Sequence, residues 1–223
     1  MIFEDLLKLW NKSDLLSQAI SDSNEMLSIS YNFYNFISEA LIDEEAAKKL
    51  DKEIVKKKDY LLNHFEKSIR KKAFEHMSVS EKKDQNLYYG VVLITVSSDI
   101  ERLGDYCKNL YEVVEIREKL TNSNLNKEKD LYLRDIKEMF KNTKKAFYET
   151  SKEAAEKVVN KHFEIKTNID KKLLEIAIMD TKENLVIYAL LLRYLKRISS
   201  HLRNICTSVI NPIDEIGFYM EKE

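Results

Sequence analysis

The chain is predicted to be all-α: six long helices forming two tandem three-helix bundles, residues 1–120 and 121–223. Three observations carry this. Only 3 Gly and 1 Pro among 223 residues supply too few turn formers for a sandwich, a barrel or a doubly wound sheet. Apolar residues recur at spacings of three and four through most of the chain. Finally, the third helical segment can be laid on the sixth at one constant offset, pairing Val91 with Val186, Ile100 with Leu195, Arg102 with Arg197, Leu103 with Ile198, Asn109 with Asn204 and Val114 with Val209. Periodicity alone requires the apolar matches but not the Arg and Asn matches, so a duplication is expected.

Each element has its own justification. Leu6, Trp10, Ala19, Met26, Phe33 and Ile37 predict a first helix from about Phe3 to Leu41. Its serines, Ser13, Ser21, Ser23, Ser28 and Ser30, allow either close helix approach or a kink. Asp43-Glu44-Glu45 offers a cap and first-turn acids for a second helix to about Met77, with Leu50, Ile54, Leu61, Phe65 and Ile69 as its apolar stripe. Lys57 does not suit that stripe. After a break at Ser78-Val79-Ser80-Glu81, the residues Val92, Val96, Ile100, Leu103, Cys107, Leu110 and Val114 define the clearest helix. Thr121-Asn122-Ser123-Asn124 is the most loop-like stretch and marks the midpoint. Leu131, Ile136, Phe140 and Phe147 predict a fourth helix, Ser151 caps a fifth to about Met179, and Thr181 caps a sixth to about Ile210, which Pro212 stops.

Composition excludes several function classes. With 37 Lys+Arg against 38 Asp+Glu, no broad basic excess points to nucleic acid. The Lys48 to Lys58 run is interleaved with Asp51 and Glu53 and reads as the wet face of an amphipathic helix. Val91–Val96 and Leu185–Leu192 are the longest apolar runs, far below the roughly 18 residues of a membrane span. The N-terminus lacks the features of a secretory signal, and Cys107 and Cys206 lack metal or redox spacing, so a cytoplasmic protein with buried, reduced thiols is expected. His64, His76, His162 and His201 show no close ligand spacing and are expected at the surface or partly buried. No Gly-rich phosphate loop and no nucleophile motif is present, so the chain reads as a non-enzyme.

One constellation could carry chemistry. Glu101 and Asp105 lie four residues apart on one helical face, with Asp99 nearby and Arg102 three residues from both aspartates. Two carboxylates in that relation repel unless a cation or basic side chains compensate, so the pair is either a hard-metal site or an Arg–Asp surface network. In the second copy Lys196 stands where Glu101 does and Ser200 where Asp105 does. Lys196, Arg197, His201 and Arg203 make that face basic and open to an anion.

The segment Ser98-Asp99-Ile100-Glu101-Arg102-Leu103-Gly104-Asp105-Tyr106, followed by Asn109, resembles the signature of the PhoU family. Tyr194 to Ile205 resembles its second copy. The resemblance implies two tandem three-helix bundles and a cytoplasmic negative regulator of phosphate uptake that works by protein contact. It implies as partners the ATP-binding subunit of a phosphate ABC transporter and a phosphate-sensing histidine kinase, with a homodimer as the expected assembly. It also carries iron, zinc or another divalent metal onto Glu101 and Asp105, assisted by Asp99, in the first repeat only, because Lys196 replaces a carboxylate in the second. Arg102, Arg197, Asn109 and Asn204 are then structural motif residues, the two arginines tying helix to helix. The alternative is a metal-binding helical bundle whose carboxylate site is its purpose.

Overall fold

The computed structural model describes residues 15–79, 83–179 and 185–217, and every regular element among them is helical. The helices are α1 (Leu15–Ala40), the short α2 (Glu44–Lys49), α3 (Lys52–Val79), α4 (Lys83–Glu115), α5 (Ser123–Glu149), α6 (Lys152–Ile178) and α7 (Val186–Ile210). Phe3, Leu6, Trp10, Ser13, Ser80, Glu81 and Thr181 lie outside the described residues. No described helix is long and apolar enough to cross a membrane.

The chain's punctuation is chemical. Asp43 caps α2 by accepting from the Ala46 amide at 2.8 Å, and Asp51 caps α3 by accepting from Ile54 at 2.8 Å. The second predicted helix is thus two helices, because an aspartate at Asp51 satisfies free amides and restarts the ladder. Asn122 caps α5 through the Asn124 and Leu125 amides, so the helix begins inside the stretch read as loop. Ser151 caps α6 as expected, its hydroxyl 3.3 Å from the Ala154 amide.

The α3 stripe differs from the prediction. The buried line is Val55, Leu62, Ile69 and Ala73, while Leu61 is 40% exposed. Shifting the stripe by one residue puts Lys57 in solvent, where its charge belongs. On α5, Leu133, Ile136, Phe140 and Phe147 are buried and Leu131 is exposed. On α1, Ser23 and Ser30 are fully buried, and their hydroxyls donate to the carbonyls of Ala19 and Leu27, so small side chains sit in the core without orphaned donors.

Helices α4 and α7 pack on each other at the centre, with α3 outside α4 and α6 outside α7, while α1 backs α3 and α4, and α5 backs α6 and α7. The central pair is antiparallel. Asp99 meets His201 and Asn204, whereas Tyr106 meets Arg197 and Tyr194. The repeat register reappears in burial: Ile100 and Leu195, Leu103 and Ile198, Val114 and Val209 are all buried, while Val91 and Val186 are both exposed. The second helices of the repeats match as well, with cap Asp51 answering cap Ser151, Val55 answering Ala155, and Ile69 answering Ile169. A pseudo-twofold therefore relates the halves.

Helix α3 packs tightly over Gly104 of α4. A Cβ there would lie 2.3 Å from Leu62 Cδ1. In the second repeat the equivalent contact is polar: Ser199 replaces Gly104 and His162 replaces Leu62, with Nδ1 of His162 3.0 Å from the Ser199 hydroxyl. Both Cys107 and Cys206 are buried free thiols, and burial pushes the Cys206 thiol up to about 12.

Candidate functional site: a charged face on each repeat

Glu101 and Asp105 project from α4 toward α3, where Asp59 and Glu66 come up to meet them. Sequence reading missed these two α3 acids. Their spacing of seven, on either side of core Leu62, is the signal that places both on the α4-facing side. Burial, then the charges of Asp105 and Glu66, raise the Glu101 carboxyl above its usual range, and Arg102 opposes them.

Basic side chains already answer most of this charge. Arg102 Nη1 is 3.0 Å from Asp105 and its Nε 3.8 Å from Glu101. Lys108 reaches Asp59 at 2.9 Å and Asp105 at 3.4 Å. Arg70 holds Glu66 at 2.6 Å and donates to Ser98 at 2.8 Å. Arg102 therefore closes within its own helix rather than tying helix to helix, a correction that follows from its three-residue spacing to Asp105. Arg197 does tie helices, donating from Nε to the Tyr106 hydroxyl at 3.0 Å with its guanidinium over the ring.

Asp99 does not join Glu101 and Asp105. Two residues on an α-helix turn the side chain by about 200°, so Asp99 faces α7 instead. There its Oδ1 pairs with Nδ1 of His201 at 2.7 Å and accepts from Asn204 at 3.1 Å. His201 is buried and stacks on Tyr106, and His162 is buried too, so both lie deeper than the surface or partly buried positions expected from spacing. Asn204 spans the seam, while Asn109 is half-buried on α4. The seam is a joint between repeats.

The donor chemistry of Asp59, Glu66, Glu101 and Asp105 suits a hard cation, but the arrangement is not a formed metal cage. Among the described residues, no group of three His, Cys, Asp or Glu side chains is placed to hold one ion. Arg102 and Lys108 occupy both carboxylate oxygens of Asp105, which a metal shared with Glu101 would need.

The second repeat inverts the charges. Lys196 takes the place of Glu101 and Lys166 that of Glu66, while Asp170 takes the place of Arg70 and pairs with Lys196. The nearby cations Arg203, Lys166 and Lys196 add to burial in driving the His162 pKa down to about 3.

Residues 23–114 and 132–209 each match the PhoU domain. The chain belongs to the PhoU family. Its first PhoU domain runs from α1 through α4, and its second from α5 through α7, in agreement with the repeat register. The chain is similar to the phosphate-specific transport system accessory protein PhoU homolog 1 of Thermotoga maritima, at 26% identity, covering 85% of this chain and 83% of that protein. Its fold is that of the crystal structure of PhoU from Pseudomonas aeruginosa, with TM-score 0.76, 20% identity, and 88% and 95% of the two chains covered. The phosphate transport system regulatory protein PhoU from Streptococcus pneumoniae shares the fold at TM-score 0.69 and 18% identity, with the same coverage.

Proposed function

We propose that this protein is a cytoplasmic accessory regulator of phosphate transport that restrains uptake through protein contacts rather than catalysis. The observation that carries this reading is the pair of PhoU domains over most of the chain, joined to its similarity to a phosphate-specific transport system accessory protein. The geometry agrees with a contact protein. Its charged residues lie on an extended helical face, and buried His162 and His201 are engaged by Ser199 and Asp99. The partners proposed are the ATP-binding subunit of a phosphate ABC transporter and a phosphate-sensing histidine kinase, and the working assembly is a homodimer. Purification of the tagged chain from phosphate-replete cells tests this: transporter or kinase subunits should co-purify, and their absence would refute the contact reading.

A second reading is favoured by one observation, the raised Glu101 carboxyl among three other acids. A divalent cation held by Glu101 and Asp105, with Asp59 and Glu66 beside them, would relieve that repulsion. Such an ion has to displace Arg102 and Lys108. Elemental analysis of the purified chain and of its Glu101→Gln, Asp105→Asn variant tests it: metal carried by the first and lost from the second supports the site, and equal content in both rejects it.

A further inference from the structure

The α6–α7 seam changes character along its length. At its tip, Leu173, Ile176, Ala177, Val186, Ala189 and Leu190 line an apolar groove of about 510 Å3, with Arg193 at its edge. Large apolar side chains stand in solvent there: Ile178 is 85% exposed, Leu174 70% and Val186 65%. Along the same two antiparallel helices the groove gives way to cations, first Lys196 and then Lys166. Lys166 and Arg193 are exposed, and among the described residues neither has a carboxylate at ion-pair distance. The first repeat presents acids, Glu66 and Glu101, where this seam has lysines, so the combination belongs to the second repeat alone.

We infer that the α6–α7 seam docks an acidic amphipathic helix of a partner protein, its apolar anchors in the groove and its carboxylates over Arg193 and Lys166, on either side of Lys196, which Asp170 already pairs. Charge complementarity selects this occupant. A second copy of this chain would have to bring a helix with apolar anchors running into uncompensated acids, whereas Asp59, Glu66 and Asp105, where α3 faces α4, are buried or half-buried and already hold Lys108, Arg70 and Arg102. The spacing is set by helical rise. Lys196 lies six residues beyond Leu190, about 9 Å, and Lys166 another turn on, so the partner's acids fall about six to ten residues from its anchors. Apolar anchors supply affinity in such a groove, while the charges fix orientation and register.

This inference rests on the reading that the protein works by contact, and its test is independent of phosphate uptake. The probe is a synthetic helical peptide with Leu at i, i+3, i+4 and i+7 followed by two turns rich in Glu, compared with a twin carrying Lys for Glu. Titrated into the isotope-labelled full chain, the Glu peptide should shift the amides of Leu173, Ala177, Ala189 and Lys196 and bind at least about tenfold tighter than its twin. Lys166→Glu with Arg193→Glu should reverse that preference, because both side chains are exposed and the Asp170–Lys196 pair remains. Leu190→Asp, also at an exposed position, should abolish binding by either peptide with the fold intact by circular dichroism. Equal affinity for the twins, shifts elsewhere on the surface, or a wild-type dimer that Leu190→Asp converts to monomer would overturn the inference.

Discussion

Replacing His162 with leucine should make the protein less sensitive to acid. The side chain is buried between α6 and α7, and burial together with Arg203, Lys166 and Lys196 holds its pKa near 3, against about 6.5 in an unfolded chain. The depressed pKa sets the sign. The folded state keeps His162 neutral while the unfolded state takes up a proton, so this stability is fully present above about pH 6.5 and is lost as pH falls toward 3. At pH 5 the loss is RT ln(1 + 10^1.5), about 2 kcal/mol, and at pH 4 it is about 3 kcal/mol. With an unfolding slope of about 2–3 kcal/mol/M, the urea midpoint of the wild type should fall by roughly 0.7–1 M between pH 7 and pH 5 from this group alone. His162→Leu reproduces the first repeat, where Leu62 occupies the equivalent position, and the Ser199 hydroxyl retains the Lys196 carbonyl at 2.7 Å. Urea unfolding at pH 7, 6 and 5 should show the variant losing about 2 kcal/mol less than the wild type over that range. Parallel pH profiles for the two proteins, or an imidazole that titrates near 6.5 by NMR, would refute the reasoning.

Three further outcomes follow from the same structure. Gly104→Ala drives a methyl into buried Leu62 and should cost about 1–3 kcal/mol in thermal or urea unfolding, with Leu62→Val in the same chain recovering part of it. Glu101→Gln should stabilise the protein at neutral pH: a carboxyl raised in the folded state disfavours folding once ionised, so the gain should vanish below about pH 4.5, and a gain that persists at pH 3 would contradict the cause. Asn24 is buried on α1 with both amide atoms lacking partners, so Asn24→Leu should raise stability by about 1 kcal/mol, and a loss of that size would show that the amide is satisfied.

The repeat was legible because apolar residues of the two third helices stay in step at one offset over several turns, and the Arg102–Arg197 and Asn109–Asn204 matches add information that core packing does not require. The register of α3 was not. Ile54, Leu61 and Phe65 compete with Val55, Leu62 and Ile69 for the core, and two adjacent apolar lines on one helix read alike until a neighbour chooses between them. On α5 the run Leu131-Tyr132-Leu133 poses the same problem, and α1 and α6 settle it in favour of Tyr132 and Leu133. The Glu101–Asp105 pair follows from spacing, but its surroundings do not, since Asp59 and Glu66 reach it from another helix. For the same reason Asp99 read as an ally of Glu101, although His201 and Asn204, about a hundred residues away, claim it.

Phosphate uptake in cells tests the central claim most directly. Radiolabelled phosphate uptake would be measured in phosphate-replete medium for cells with the gene, without it, and with it restored. Regulation by contact predicts that uptake escapes repression without the protein and is repressed again when the wild-type chain returns. Uptake that is the same in all three strains would contradict it.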